Sequence, residues 1–260
     1  MFGFNRYDLR LLINLFKMNV RDRYLGSSLG SIWAITNPLL MLCLFTYVFA
    51  FVFKIRLPGA ESTLAYVIWL VSGYGPWLAF QESIMGATTS VVNASGMVKN
   101  LAFKTELLPI AGALVGLISL AVSLCFLFVL LVWSGSAITW HLLLLPVVMA
   151  LQFAFAVALG MWLSAITVFV RDVVQILPTV LTAFMFMTPI FYPFDTMPEF
   201  VQSVSFANPL YQIAEGYRAI IANHLPDMIG LAYVAGVSLV IFYFGLLAFR
   251  RAKGSFDSAI

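Results

Sequence analysis

The side chains of this 260-residue chain that could perform acid, base or metal chemistry are few, and none stands where a reaction would need it. Its two histidines, His141 and His224, are too far apart in sequence for the short ligand spacings of a metal site. No Ser/His/Asp set and no pair of carboxylates falls inside an apolar stretch. Glu82, the acid nearest to one, follows Gly73, Gly75 and Pro76 toward its end, where it reads as an interfacial carboxylate. The phosphate-loop pattern G-x-x-x-x-G-K-S/T is missing, so the chain has no such loop with which to hydrolyse ATP. Catalysis, a metal and a cofactor are therefore not expected. What is abundant is aromatic side chains, with Phe45, Phe49 and Phe53 in one apolar run and Phe184, Phe186, Phe191 and Tyr192 in another. Single rings of this kind ordinarily face lipid; lined along a pore, they would offer flat apolar faces over which a sugar chain could slide.

The elements that would carry such rings are set by composition. Hydrophobic residues make up 62% of the chain, charged residues 10%, and mean hydropathy is +1.00. A soluble domain carries about a quarter of its residues as Asp, Glu, Lys and Arg. This one must face lipid, and a net charge of +3 with no basic patch gives no support for nucleic-acid binding. Cys43 and Cys125 sit within apolar runs and read as small packed hydrophobes. Six spans are expected, roughly 32–53, 64–85, 107–133, 142–169, 174–192 and 228–249. Eleven of the 14 Lys and Arg residues then fall on one side: Arg6, Arg10, Lys17, Arg21, Arg23, Lys99, Lys104, Arg171, Arg250, Arg251 and Lys253. Only Lys54, Arg56 and Arg218 do not. The positive-inside rule places that side, with both termini, in the cytoplasm. Trp69, Trp133 and Trp140 fall near the outer ends, as an aromatic belt would.

Three further segments are more than connections. Residues 7–24 place Leu9, Leu12, Ile13, Phe16 and Val20 on one helical face and Arg10, Asn14, Lys17 and Arg21 on another, which predicts an amphipathic helix lying in the membrane interface. The region 1–31 forms an interfacial unit ahead of a transmembrane domain, 32–260. Between spans two and three, residues 86–106 hold a weakly amphipathic stretch, Val98, Leu101 and Phe103 against Lys99, Asn100 and Lys104, suited either to a short helix docking a soluble partner or to a solvated loop. Between spans five and six, Pro198, Pro209 and Pro226 divide an apolar outer segment into helices at 198–206 and 209–222, too short to cross. They are expected as a re-entrant pair capping the outer side, the other reading being helices lying on the outer leaflet.

The sequence Arg21-Asp22-Arg23-Tyr24, followed by Ser28-Leu29-Gly30, Trp33 and Asn37-Pro38, resembles the opening signature of polysaccharide ABC exporter permeases, the type-2 exporters that move O-antigen and teichoic acid. The likeness continues in Ser72-Gly73-Tyr74-Gly75-Pro76-Trp77, Phe169-Val170-Arg171-Asp172, Thr188-Pro189-Ile190-Phe191-Tyr192 and Asn208-Pro209-Leu210-Tyr211, covering nearly the whole chain in order. The resemblance implies a homodimer whose spans enclose a channel, each subunit paired with a separate ATP-binding cassette subunit that binds ATP and Mg. It implies a coupling segment at about 93–105, carried by Asn93, Met97, Val98, Lys99, Leu101 and Phe103. It implies an outer gate at about 197–222, with Thr188, Pro189, Asn208, Pro209 and Tyr211 at its seat. The cargo in such systems is a long glycan on undecaprenyl pyrophosphate, which Arg21, Arg23 and Arg171 could bind at the inner leaflet. Topology and anionic-lipid contact are the other uses open to those arginines. Phe184, Phe186 and Tyr192 are the candidate channel aromatics.

The expectation is thus an all-α membrane subunit of an ATP-driven exporter of lipid-linked polysaccharide, O-antigen for lipopolysaccharide biosynthesis, in the bacterial inner membrane. The alternatives are a type-2 ABC permease for drugs or small lipids, and a membrane enzyme acting on lipid-linked sugars. The enzyme would need acids, bases or a metal cluster facing a cavity, which the spans do not supply.

Overall fold

A computed structural model describes residues 5–55, 62–101, 103–194 and 197–256, apart from the side chains of 203 and 204. Arg56 and residue 102 of the expected coupling segment lie outside the described residues. Helix α1 (Arg6–Arg23) has the limits its amphipathic pattern predicts, and it begins in a reciprocal cap. The Asn5 side chain accepts from the backbone, and Asp8 at the third helical position accepts from Asn5 N–H. Two helical stretches follow in which 3-10 or π turns continue an α-helix: Gly30–Val52, containing α2 (Trp33–Thr46), and, further on, Trp140–Phe169.

Helix α3 (Thr63–Asn93) is the axis of the bundle, with two-thirds of its most apolar window buried. The sequence predicts a span ending near 85; the helix instead runs unbroken past Pro76 to Asn93. Its last two turns, GATTSVVN, have poor helix propensity, but packing overrides it. Gly86 lies backbone-to-backbone against Gly112, and Ala87 fills the space over Gly160. Small residues at such crossings let helices approach closely, which matters where lipid competes with any looser apolar contact. The hydroxyls of Thr88, Thr89 and Ser90 fold back onto carbonyls of the preceding turn.

Helix α4 (Ser95–Asn100) is a single short element, followed by α5 (Leu107–Leu114) and α6 (Gly116–Ser134), which together form one stretch ending at Gly135 in the left-handed conformation. Helix α7 (Leu145–Phe169) packs on α3 and most extensively on the last helix, α11 (Met228–Lys253). Helix α8 (Val173–Met187) has only 15 residues. The expected span to 192 stops early because Pro189 cannot continue a helix and forces Thr188 into an extended conformation, φ −87°, ψ 134°. Helices α9 (Glu199–Phe206) and α10 (Pro209–Ile221) lie between α8 and α11.

Among the described residues, five stretches are long and apolar enough to cross a membrane: Gly30–Val52, Thr63–Asn93, Leu107–Ser134, Trp140–Phe169 and Met228–Lys253, with α8 a shorter apolar helix. The chain is an all-helical integral membrane protein. The expected fifth span, 174–192, corresponds to α8, below the length of about 20 residues that crosses a bilayer unaided. Cys43 and Cys125 are exposed on the outside of the bundle, not packed within it. Phe45 and Phe49 are core residues stacked on Phe191, whereas Tyr47, Phe51 and Phe53 are exposed.

Candidate functional site

Two ends of the bundle gather the polar residues. At the end bearing α1, the chain between α4 and α5 is held from both sides. Lys104 Nζ lies 2.5 Å from Asp8 Oδ2 of α1. On the next turn Glu106 accepts from Arg250 Nε of α11 at 3.2 Å, and Lys253 lies 3.8 Å from its other oxygen. Asp8 is thus served by the Asn5 amide and by Lys104, which in that order hold its carboxyl below the usual carboxylate range. The segment 93–103 does not present one apolar face. Met97, Val98 and Phe103 pack onto the core below, while Leu101 is 56% exposed and Lys99 and Asn100 are exposed beside it. Alternation at the end of a six-residue helix turns Leu101 outward, since the backbone leaves the helix there with φ −125°, ψ 134°.

Beneath this segment is a cavity of about 530 Å³ lined by α1, α3 and α5, with Asn93 at its wall. Arg23 and Glu82 meet in it at 3.1 Å, and Ser119 donates to the second Glu82 oxygen. Glu82 is therefore a tie between α1, α3 and α6, not a lone interfacial carboxylate; its partner Arg23 stands 59 residues away in sequence. Of the three arginines expected to be able to bind pyrophosphate, Arg23 is engaged in this pair. Arg21 lines a separate apolar cleft with Lys17, Tyr24 and Ile118, and Arg171 is exposed between α7 and α8. The three do not converge on one point.

At the opposite end, the helix breaks at Pro189, and several carbonyls of the backbone around the break are met by specific donors. Thr188 N–H and Oγ1 donate to Phe184 O, and Tyr192 OH donates to Phe186 O. Tyr66 OH of α3 donates to Phe191 O at 2.8 Å. Arg218 of α10 donates to Pro189 O at 2.9 Å and Ile190 O at 2.8 Å. Unsatisfied, each such buried carbonyl would cost about 1–3 kcal/mol. The expected gate residues come together here. Asn208, the N-cap of α10, donates to Thr188 Oγ1 at 2.9 Å; Pro209 is the first residue of that helix; Tyr211 stacks on Phe194 at 5.1 Å. Phe186 is exposed on the face of α8 that carries the exposed polar residues Gln175, Thr179 and Thr182, and Phe184 is exposed about half a turn away from them, whereas Tyr192 is half-buried.

Sequence reasoning missed Arg218, counting it only as an outer basic residue. It is 5% exposed, 3.6 Å above the Trp69 ring and 2.7 Å from Glu215. Trp69 is thereby drawn from the expected belt into a cation–π contact, while Trp133 and Trp140 are exposed. The signal was present: Arg218 follows Tyr211, Ala214 and Tyr217 along the apolar face of α10.

An apolar helical bundle with an anchored loop at one end and short helices seated over a broken helix at the other has the architecture of a membrane transport subunit. The family model for the ABC-2 type transporter matches residues 10–222, and the chain belongs to that family. It is similar to the O-antigen export system permease protein RfbA of Myxococcus xanthus, 31% identical over 253 residues covering 96% of this chain and 95% of that one. It is 25% identical over 256 residues to RfbA of Klebsiella pneumoniae, at the same coverages. To the polysialic acid transport protein KpsM of Escherichia coli it is 24% identical over 252 residues, 92% of each chain.

Proposed function

We propose that this chain is the membrane-spanning subunit of an ATP-driven exporter moving lipid-linked polysaccharide, O-antigen on undecaprenyl pyrophosphate, across the bacterial inner membrane. End-to-end similarity to permeases named for O-antigen export carries the reading of the cargo. The loop anchored to both α1 and α11 supports the reading of the drive. A separate ATPase seated on Leu101, Lys99 and Asn100 would move α4, and its motion would pass to both terminal helices through Lys104–Asp8 and Glu106–Arg250.

In this reading two copies and two ATPase subunits make the transporter, both termini are cytoplasmic, and α8 completes six membrane segments. The side of α8 bearing Gln175, Thr179, Thr182 and Phe186 faces the channel, since exposed polar groups at membrane depth favour a water-filled wall over lipid, and Phe184 lies at the far edge of the same exposed surface. Tyr192 then contributes its ring at the channel exit with its hydroxyl tied to Phe186. Arg21 and Arg171 serve the pyrophosphate, with Arg23 available only if it leaves Glu82. Helices α9 and α10 form the re-entrant outer gate. The test is co-purification from native membrane in mild detergent, followed by ATP turnover of the complex. A stoichiometric ATPase whose turnover responds to substitutions in 93–103 is the expected result; purification of this chain without any ATPase would overturn the proposal.

A further inference from the structure

The two short outer helices are not equivalent. Helix α10 is built into the bundle, packed on α3, α7 and α11, with Tyr211, Ile213, Tyr217 and Ile220 buried. Among the described residues, helix α9 packs chiefly on α10 and leaves Phe200 and Phe206 exposed. What fixes α10 is Arg218. Its guanidinium fills the space over Gly73, where an added Cβ would lie 2.7 Å from Nη2, stacks on Trp69, and donates to the carbonyls of Pro189 and Ile190. Glu215 balances its charge from the rim. A buried cation bonded through both terminal nitrogens, with only Nε unpartnered, is costly to pull apart, because separation strands both the charge and the carbonyls.

We infer that Arg218 is the positioning residue of the outer end: it joins α3, α10 and the exit of α8 into one body. Opening at this end then comes from α9 or from the facing subunit, and not from α10 lifting off residues 188–192. The assignment to a gate rests on the exporter reading above; the joining of the three segments does not.

The test uses the permease–ATPase complex with Cys43 and Cys125 replaced by alanine, reading ATP turnover, glycan export and amide exchange at 188–192. Arg218→Gln is expected to raise exchange at 188–192 and to lower export by about tenfold or more, with ATP turnover largely kept. Gly73→Ala leaves the charge in place but pushes the guanidinium off its carbonyls, and should produce the same uncoupling in milder form. Joining Thr188→Cys to Asn208→Cys with a short thiol cross-linker should restore export to Arg218→Gln, because it replaces the lost tie. Normal export by Arg218→Gln, or parallel loss of export and turnover that the cross-link does not repair, overturns the inference. Absence of ATP-dependent glycan export in the unsubstituted complex overturns the exporter reading instead. In that case unchanged exchange in Arg218→Gln overturns the joining, and raised exchange upholds it.

Discussion

Gly112→Ala tests whether backbone contact between α3 and α5 holds the loop-bearing end together. A methyl at this position would sit 2.6 Å from the carbonyl carbon of Gly86 and 2.8 Å from the nitrogen of Ala87, and closer still to the Gly86 oxygen. All three are backbone atoms, so no side chain can swing aside. The helices would have to part by about 1 Å to reach an ordinary contact near 3.5 Å. Overpacking of this kind costs about 1–3 kcal/mol, and with main chain on both sides the upper part of that range applies. At about 2–4 °C per kcal/mol for a chain of this size, a cost of about 2–3 kcal/mol should lower the apparent melting temperature by about 4–12 °C. The assay is the monodisperse fraction in detergent after stepwise heating. Gly96→Ala is the control: nothing lies within 4 Å of its added methyl, and in α4 it should hold or slightly raise the melting temperature. Equal melting of Gly112→Ala and the unsubstituted protein would refute the reasoning.

The remaining predictions concern the loop. Leu101→Asp should leave melting unchanged, because the side chain is mostly exposed, yet weaken retention of the ATPase at least about tenfold in a pull-down. Phe103→Ala, which removes a ring packed on the core, should instead lower the melting temperature, by an amount reflecting about 1–3 kcal/mol. The depressed carboxyl of Asp8 contributes its tie above the ordinary carboxylate range and loses it only as pH falls through the lowered value. A fluorophore at position 14 of α1 should therefore report no release between pH 7 and 5, with onset only below the ordinary carboxylate range. Lys104→Gln should move that onset upward, and release of the unsubstituted protein at pH 5 would refute the assignment.

Much of this fold is legible in local pattern. The 3.6-residue stripe of α1, the apolar runs of the spans and the proline starts of α9 and α10 are properties of neighbouring residues, and they locate those elements to within a few positions. Two boundaries were less visible. The early end of α8 is written in Thr188-Pro189, but an apolar run carries through it. The late end of α3 depends on Gly112 and Gly160 arriving from other helices, which no local window contains. The site residues divide in the same way. Thr188, Pro189, Asn208 and Pro209, which the structure brings together, stand out in the sequence because they form motifs. The ties of Glu82 to Arg23 and of Asp8 to Lys104 join residues 59 and 96 positions apart, beyond the reach of spacing arguments. Arg218 was hidden by a tally of charge by side, which counts a cation without asking which face of its helix it shares.

The broken end of α8 also imposes an order on synthesis. The donor that completes Ile190 lies 28 residues downstream, and the ribosome adds about 5–20 residues per second, so these carbonyls wait about 1.5–6 s for Arg218 to emerge. Tyr66 is already made, but α10 is not. During that interval the residues after Met187 must keep their carbonyls hydrated, outside hydrocarbon, and the last membrane segment of the nascent chain cannot settle to its final depth. Truncation of the message between codons 192 and 218 should therefore leave a chain whose first four spans are inserted and whose fifth hydrophobic segment remains accessible to the insertion machinery.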